Sequence, residues 1–259
     1  MVQVTKQQIT EYIEKNIQTF HQRRLEKLSE LKLMEVLKRK NPYLYKAKNI
    51  NTAQDLVEGI LSAHLSSQEE GIFGSFLEGL AIYICGITFN GRKSAAEGID
   101  LEVEIDGVYY IVVIKSGPNW ANSEQLKKMK DSFIKATRIL RTSGHKINVR
   151  AVNGCCYGRE GREDKGEYLK LCGESFWTFI SGQSTLYLEI IEPLGHEASE
   201  RNLSFQAEYE KVLNKFTKEF LDKFCNEDGA IKWEEIVAIN SGKAAPKTPN
   251  TKKEKTKGK

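Results

Sequence analysis

The 259-residue chain lacks the sequence features of membrane, secreted and zinc-binding proteins. No stretch approaches the roughly 18 uninterrupted apolar residues of a membrane helix, and the first residues contain no apolar segment of a secretory signal. The five cysteines form no CxxC pair and the four histidines are scattered, whereas a zinc site needs clustered ligands at characteristic spacings. We therefore expect a cytoplasmic protein with reduced cysteines and no membrane partner.

Several common catalytic motifs are also absent from the sequence. There is no GxxxxGK(S/T) phosphate-binding loop, no GxGxxG after an expected strand, no HExxH and no GxSxG. Taken together, these absences count against nucleotide hydrolases, dinucleotide-dependent dehydrogenases, zinc proteases and serine esterases.

The formal net charge of +4 is unevenly distributed along the chain. Residues 241–259 contain seven lysines and one glutamate, a net charge of +6, which leaves −2 for the rest. This segment is rich in Lys, Thr and Pro and is predicted to be a disordered basic tail, either solubilising or a non-specific phosphate anchor. Two further basic stretches, 20–48 and 124–141, are interpreted either as solvated helix surface or as surface lying along a phosphate backbone.

The spacing of apolar residues predicts an α/β fold with a mixed sheet. Period-two alternation and a continuous apolar run predict paired strands at 99–105 and 108–115, joined by an Asp106-Gly107 hairpin turn. A third strand is expected at 149–157. Helical periodicity is found over 5–40, 51–65, 69–85, 123–140, 204–225 and 233–239. We predict an N-terminal helical region, 1–85, that forms one domain with a catalytic core and C-terminal helices, 86–240.

Two charged residues stand at the ends of the paired strands. Asp100 lies at the start of one strand and Lys115 at the end of the next, so their side chains are expected side by side at the sheet edge. A carboxylate there can bind Mg²⁺, and a lysine can orient or help deprotonate a water and neutralise a phosphate. The pair indicates phosphodiester hydrolysis.

The segments around this pair carry a family resemblance that covers most of residues 20–240. They are KNPYLYKAKNI, SSQEEGIFGSFLEGLAIYI, RKSAAEGIDLE, IKSGPNWANSEQ, GCCYG, CGESFWTFISG and DGAIKWEEIV, of which IKSGPNWANS is the most specific. The sequence resembles the PD-(D/E)xK nuclease superfamily and, within it, type II restriction endonucleases that cut interrupted palindromes of the GGNCC type.

The resemblance implies a restriction-endonuclease-like core flanked by helices, acting as a homodimer on double-stranded DNA. It implies Mg²⁺-dependent cleavage at a short palindromic site, and a cognate DNA methyltransferase as functional partner. Asp100 takes the role of the metal-binding aspartate and Lys115 that of the motif lysine. The pattern's second acid is replaced by Val113, which cannot ligate a metal. Glu78 is our first choice for the missing metal ligand and catalytic acid, and Glu102 is the second. Alternatively, Glu78 is a salt-bridge partner of a nearby Lys or Arg, and Glu102 belongs to a solvated strand face.

The loop after Lys115 is rich in side chains suited to base edges and phosphates. Asn122 or Ser123 can alternatively cap the helix that follows. The residues predicted to contact DNA are Lys93, Ser94, Ser116, Asn119, Trp120, Asn122, Ser123, Gln125 and Lys127. Two other functions stay open at this point: a DNA-binding protein on an inactivated nuclease fold, favoured by Val113, and a structure-specific or repair nuclease.

Overall fold

The computed structural model describes residues 2–142, 148–195 and 198–243, and its contacts divide the chain into two compact units. The first unit comprises Met1–Glu30 and Leu65–Val212, and the second comprises Leu31–His64 and Leu213–Lys259. Of the predicted basic tail, residues 244–259 lie outside the described residues. The predicted division at residue 85 stays a prediction.

Helices and strands follow the order expected of a mixed α/β core. The helices are α1 (Lys6–Ser29), α2 (Leu33–Lys38), α3 (Pro42–Ala47), α4 (Ala53–Phe89), α5 (Ser123–Thr142), α6 (Glu174–Ser181), α7 (Leu186–Glu189), α8 (Ile191–Leu194), α9 (Ala198–Phe224) and α10 (Trp233–Ser241). The strands are β1 (Arg92–Lys93), β2 (Leu101–Ile105), β3 (Val108–Lys115), β4 (Asn148–Cys155) and β5 (Leu169–Cys172).

One five-stranded sheet, in the order β1-β2-β3-β4-β5, organises the first unit. The first three strands pair antiparallel, whereas β3, β4 and β5 pair parallel. The expected hairpin turn between β2 and β3 is confirmed by the positive φ angles of Asp106 and Gly107, 50° and 75°. The mixed sheet with flanking helices confirms the predicted fold class.

Both faces of β3 are buried, which explains its continuous apolar sequence. Val112 and Ile114 pack into a core shared with α1, α4 and α6. Ile111 and Val113 point to the opposite face, where they pack with Met129 and other residues of α5. Because side chains alternate along a strand, β3 contributes to both clusters.

The helix boundaries differ from the sequence prediction in the N-terminal half. The two helices expected at 51–65 and 69–85 are one continuous helix, α4, of 37 residues. Their predicted separation was wrong because the polar residues at 66–68 include neither proline nor glycine, the residues that end helices. Conversely, the periodic stretch 5–40 is divided into α1 and α2. The strands β1 and β5 and the short helices α3 and α6 to α8 were not predicted.

Helix α4 is long and apolar enough, by length and composition alone, to cross a membrane. The core helix of a soluble protein passes the same test. Leu80, Ala81 and Ile84 of α4 are fully buried against the sheet. The helix therefore gives no indication of a membrane protein.

The packing of α6 on the sheet leaves no space for a side chain at Gly154 of β4. A Cβ atom there would lie 2.1 Å from Cε2 of Phe176, a fully buried residue. We expect Gly154→Ala to lower the free energy of unfolding by about 1–3 kcal/mol, the usual cost of overpacking a core. Urea denaturation measures this cost. The control is Gly71→Ala on α4, where a Cβ meets nothing within 4 Å and helix propensity predicts a gain of up to about 1 kcal/mol.

Candidate active site

Helix α4 runs beside the end of β3 and brings an acid to it. A Cβ at Gly74 would lie 3.6 Å from the Cβ of Ser116, the residue after Lys115. Glu78 follows one helical turn later and is partly buried. The sequence prediction that α4 supplies an acid near the sheet edge therefore has a structural basis.

The electrostatics of Glu78 show which charges surround it. Burial raises the pKa of Glu78 above its usual value, and the negative charge of Asp100 raises it further. The positive charges of Lys93 and Lys115 act in the opposite direction, and Nζ of Lys93 lies 3.8 Å from Oε1 of Glu78. The structure thus brings Glu78, Asp100 and Lys115 into one group of interacting charges.

Backbone hydrogen bonds fix Asp100 against β3. Its N–H donates to the carbonyl of Val112 at 2.9 Å, and its Oδ2 accepts from the N–H of Ile114 at 2.7 Å. Lys115 ends β3, and its carbonyl accepts from the N–H of Cys156 at 2.9 Å. Asp100 is therefore held beside the last residues of β3, the strand that Lys115 ends, and the joint role of the two side chains stays a prediction.

Val113 occupies the position of the pattern's second acid, and it is a core residue. Only 3% of it is exposed, and its side chain packs with Ile99, Ile111 and Phe133. An ionised carboxylate buried among these apolar side chains would be costly unless it were paired. Position 113 therefore supplies no acid to the strand end.

Glu102, the second choice for that acid, is engaged by protein donors. It accepts hydrogen bonds from Oγ of Ser94 at 2.6 Å, from the Tyr109 hydroxyl at 2.7 Å and from Arg92 at 3.4 Å. Burial acts to raise the pKa of Glu102, but these three hydrogen bonds together lower it. Glu104, on the same strand, is exposed. The contacts of Glu102 fasten β1 to β2 and β3, so its carboxylate already has three hydrogen-bond donors within the protein.

The residues predicted to contact DNA lie around the same strand ends. Asn122 and Gln125 form a reciprocal cap on α5, with each backbone N–H bonded to the other's side-chain oxygen at 2.9 Å. Ser94 is bonded to Glu102 as described, and Trp120 is partly buried. The exposed members of the set are Lys93, Asn119, Asn122, Ser123, Gln125 and Lys127, and Ser116 is partly buried. Their contacts with DNA stay predictions.

Sequence reasoning missed the residues that support the loop after Lys115. A Cβ at Gly117 would lie 2.3 Å from the ring of Tyr157, so glycine allows the loop to approach the segment after β4. Nζ of Lys170 donates to the carbonyl of Pro118 at 3.2 Å and pairs with Glu160. Asn153, a buried polar residue within β4, is the residue of this group that its sequence context could have revealed.

The acidic residues suit Mg²⁺ better than a metal that needs a full cage of protein ligands. Within the described residues, no group of three or more His, Cys, Asp and Glu side chains is placed to hold a metal. Mg²⁺ is commonly bound by one or two carboxylates, with water and substrate phosphate as the remaining ligands. Asp100 and Glu78 could supply such a pair, and a cation between them would offset their mutual repulsion, which adds to burial in raising the pKa of Glu78.

The burial of Glu78 and its repulsion by Asp100 have a consequence for stability. The pKa of Glu78 is raised in the folded protein. At pH values below the pKa of the unfolded chain, Glu78 is protonated in both states and does not affect stability. Stability is lost as the pH rises through the folded-state pKa, because the carboxylate then ionises in an unfavourable environment. We expect metal-free Glu78→Gln to melt at a higher temperature than the wild type at pH 7 and at the same temperature near pH 4. Melting curves at the two pH values, with Glu104→Gln as control, measure the difference. Equal melting temperatures at pH 7 would contradict the proposed environment of Glu78.

Comparison with known proteins agrees with this geometry. The family model of the type II restriction endonuclease EcoO109I matches residues 7–202, which is more than half of the chain and includes Glu78, Asp100 and Lys115. A search of curated proteins gave no match. The match extends from α1 into α9 and covers the whole sheet. The chain therefore belongs to the type II restriction endonuclease EcoO109I family.

Proposed function

We propose that the protein hydrolyses phosphodiester bonds of double-stranded DNA at a short palindromic site and requires Mg²⁺. The observation that supports this most directly is the group formed by Glu78, Asp100 and Lys115 at the end of β3, in a chain of a restriction endonuclease family. The absence of an acid at position 113 does not remove the second carboxylate, because α4 supplies Glu78. The proposal therefore favours an active nuclease over an inactivated DNA-binding fold.

In the proposed reaction, each charged residue has a distinct role. Asp100 and Glu78 would hold Mg²⁺, which when bound supplies Lewis-acid polarisation of the phosphate and a more acidic water. The Lys115 ammonium orients the attacking water and offsets the negative charge that develops on the phosphate. The hydrogen bond from Ile114 to Asp100 fixes one carboxylate before DNA binds, so less reorganisation is needed during reaction.

The proposed oligomeric state, recognition site and functional partner follow from the requirements of cutting a palindrome and from the family resemblance. Two strands related by a two-fold axis are cut most simply by a homodimer with the same symmetry. The family resemblance favours an interrupted site of the GGNCC type. A cytoplasmic enzyme that cuts this site needs a DNA methyltransferase to protect the host's own copies, and the gene of that partner is expected next to this one.

Plasmid digestion tests the proposal. Purified protein is incubated with supercoiled and linear plasmid DNA in the presence of Mg²⁺, and again with excess EDTA. We expect discrete fragments with Mg²⁺ and none with EDTA.

Three other outcomes would overturn the proposal. DNA binding without cleavage would favour an inactivated fold, and cutting only at branched or mismatched DNA would favour a structure-specific nuclease. Undiminished cutting in EDTA would contradict the role of Asp100 and Glu78 as metal ligands.

A further inference from the structure

A buried amide lies behind the candidate active site. Asn153 of β4 is 1% exposed and is the register partner of Val113 on β3. Its Nδ2 donates to the carbonyl of Val113 at 3.2 Å, and its Oδ1 accepts from the indole N–H of Trp120 at 3.2 Å. A buried polar side chain is costly unless it is hydrogen-bonded, and here both ends of the amide have a partner. Asn153 thus joins β3 to the loop that follows it.

Trp120 connects this amide to Lys115. The indole packs on the apolar cluster of Ile99, Val113 and Phe133, and its N–H is held by Asn153. Nζ of Lys115 lies over the indole ring, 5.1 Å from the ring centroid, within the range of a cation–π interaction. A lysine side chain is otherwise a flexible four-carbon stem, so a fixed aromatic surface restricts where its ammonium group lies.

We propose that Trp120 and Asn153 are positioning residues that hold the Lys115 ammonium group at the scissile phosphate. The inference rests on the proposed function, since it assigns these residues an effect on the same reaction. Asn153 fixes the indole, the indole face attracts the ammonium group, and the hydrogen bond to Val113 ties both to the strand that carries Lys115. Neither Trp120 nor Asn153 needs to touch DNA for this role.

A DNA contact by Trp120, as the sequence predicts, is the competing role, and kinetics separate the two. A residue that binds DNA contributes to affinity. Its replacement raises the Kd, and excess enzyme restores the cleavage rate. A residue that positions Lys115 contributes to the rate at saturation, and its loss persists when all DNA is bound. Misplacement of a catalytic group by about 1 Å costs on the order of 100-fold in rate.

The test is single-turnover cleavage of one DNA fragment by excess enzyme, with the Kd measured separately in Ca²⁺. We expect Trp120→Leu to cut about 100-fold more slowly at saturation, with an unchanged Kd. Trp120→Phe keeps an aromatic face but loses the N–H, and it should lose less activity than Trp120→Leu. The factor by which Trp120→Leu lowers the cleavage rate should differ between the wild-type protein and the Lys115→Arg variant, because the two residues act together.

The second unit offers a matched control. Nζ of Lys46 lies 5.3 Å from the ring centroid of Trp233, so this pair has nearly the same geometry on elements that carry no predicted site residue. Trp233→Leu should cut DNA at the wild-type rate. A raised Kd with a wild-type rate at saturation in Trp120→Leu would overturn the positioning role in favour of a DNA contact.

An NMR measurement tests the same network without DNA. In protein labelled with ¹⁵N-tryptophan, the Trp120 indole signal is assigned by its loss in Trp120→Phe. The signal should shift in Asn153→Ala, which removes the acceptor of the indole N–H. It should also shift in Lys115→Met, which removes the ammonium group over the ring and serves as the test if Asn153→Ala folds poorly. An unshifted signal in the folded variants would overturn the network. If the wild-type protein cuts no DNA, the proposed function fails and the catalytic role of the pair fails with it, whereas full activity of Trp120→Leu overturns this inference alone.

Discussion

Lys115→Ala is expected to lower the rate of DNA cleavage at saturating enzyme by about 10²–10⁴-fold, the usual contribution of a side chain that assists proton transfer. The physical reason is the position of Lys115 at the end of β3, where its charge acts on Glu78. Single-turnover cleavage of a labelled fragment measures the rate, and a binding assay in Ca²⁺ should show a Kd within about tenfold of the wild type.

The control for this prediction is an exposed lysine on a helix that carries no predicted site residue. Lys218 of α9 is exposed, and Lys218→Ala should leave the rate unchanged. If Lys115→Ala cut DNA at the wild-type rate, the assignment of Lys115 would be wrong and another cation would have to serve the reaction.

Glu78→Gln should reduce Mg²⁺-dependent cleavage by at least about 100-fold. Replacing a residue that only hydrogen-bonds to a metal ligand costs up to about 100-fold, and the loss of a ligand itself is expected to cost no less. The amide has nearly the same shape as the carboxylate but lacks the negative charge that, in the proposed site, would hold a cation beside Asp100. Cleavage rates measured over a range of Mg²⁺ concentrations should show that excess metal restores little of the activity.

Two other glutamates make the comparison specific. Glu104 is exposed, so Glu104→Gln should cut at the wild-type rate. Glu102→Gln should lower the melting temperature, because it weakens the hydrogen bonds to Ser94 and Tyr109, and should affect cleavage less than Glu78→Gln. A greater loss of cleavage in Glu102→Gln than in Glu78→Gln would identify Glu102 as the second acid.

The three central strands of the sheet, including the pair that carries the site, could be predicted from the sequence. The alternation in β2, the Asp106-Gly107 turn and the apolar run of β3 are local patterns, and each has a distinct physical cause. The positions of Asp100 and Lys115 follow directly from that hairpin. The short strand β1 and the helices α6 to α8 could not be predicted, because their few residues gain stability from tertiary packing rather than from local preference.

The partners of the site residues depend on long-range packing, which local patterns do not report. The distance in sequence between Trp120 and Asn153 gives no sign that they share a hydrogen bond. Likewise, the sequence alone could not decide between Glu78 and Glu102, since the difference lies in the donors around Glu102 and in the charges around Glu78. The cap of α5 is different, because it is a local pattern: the sequence predicted that Asn122 or Ser123 forms it, and the hydrogen bonds between Asn122 and Gln125 confirm Asn122.

The account is tested most directly by sequencing the ends of the fragments that the wild-type protein produces from a bacterial genome in Mg²⁺. We predict that all ends derive from one short palindromic sequence, and that Glu78→Gln and Lys115→Ala yield almost none of them under the same conditions. Ends without a common sequence, or equal yields from the variants, would contradict the account.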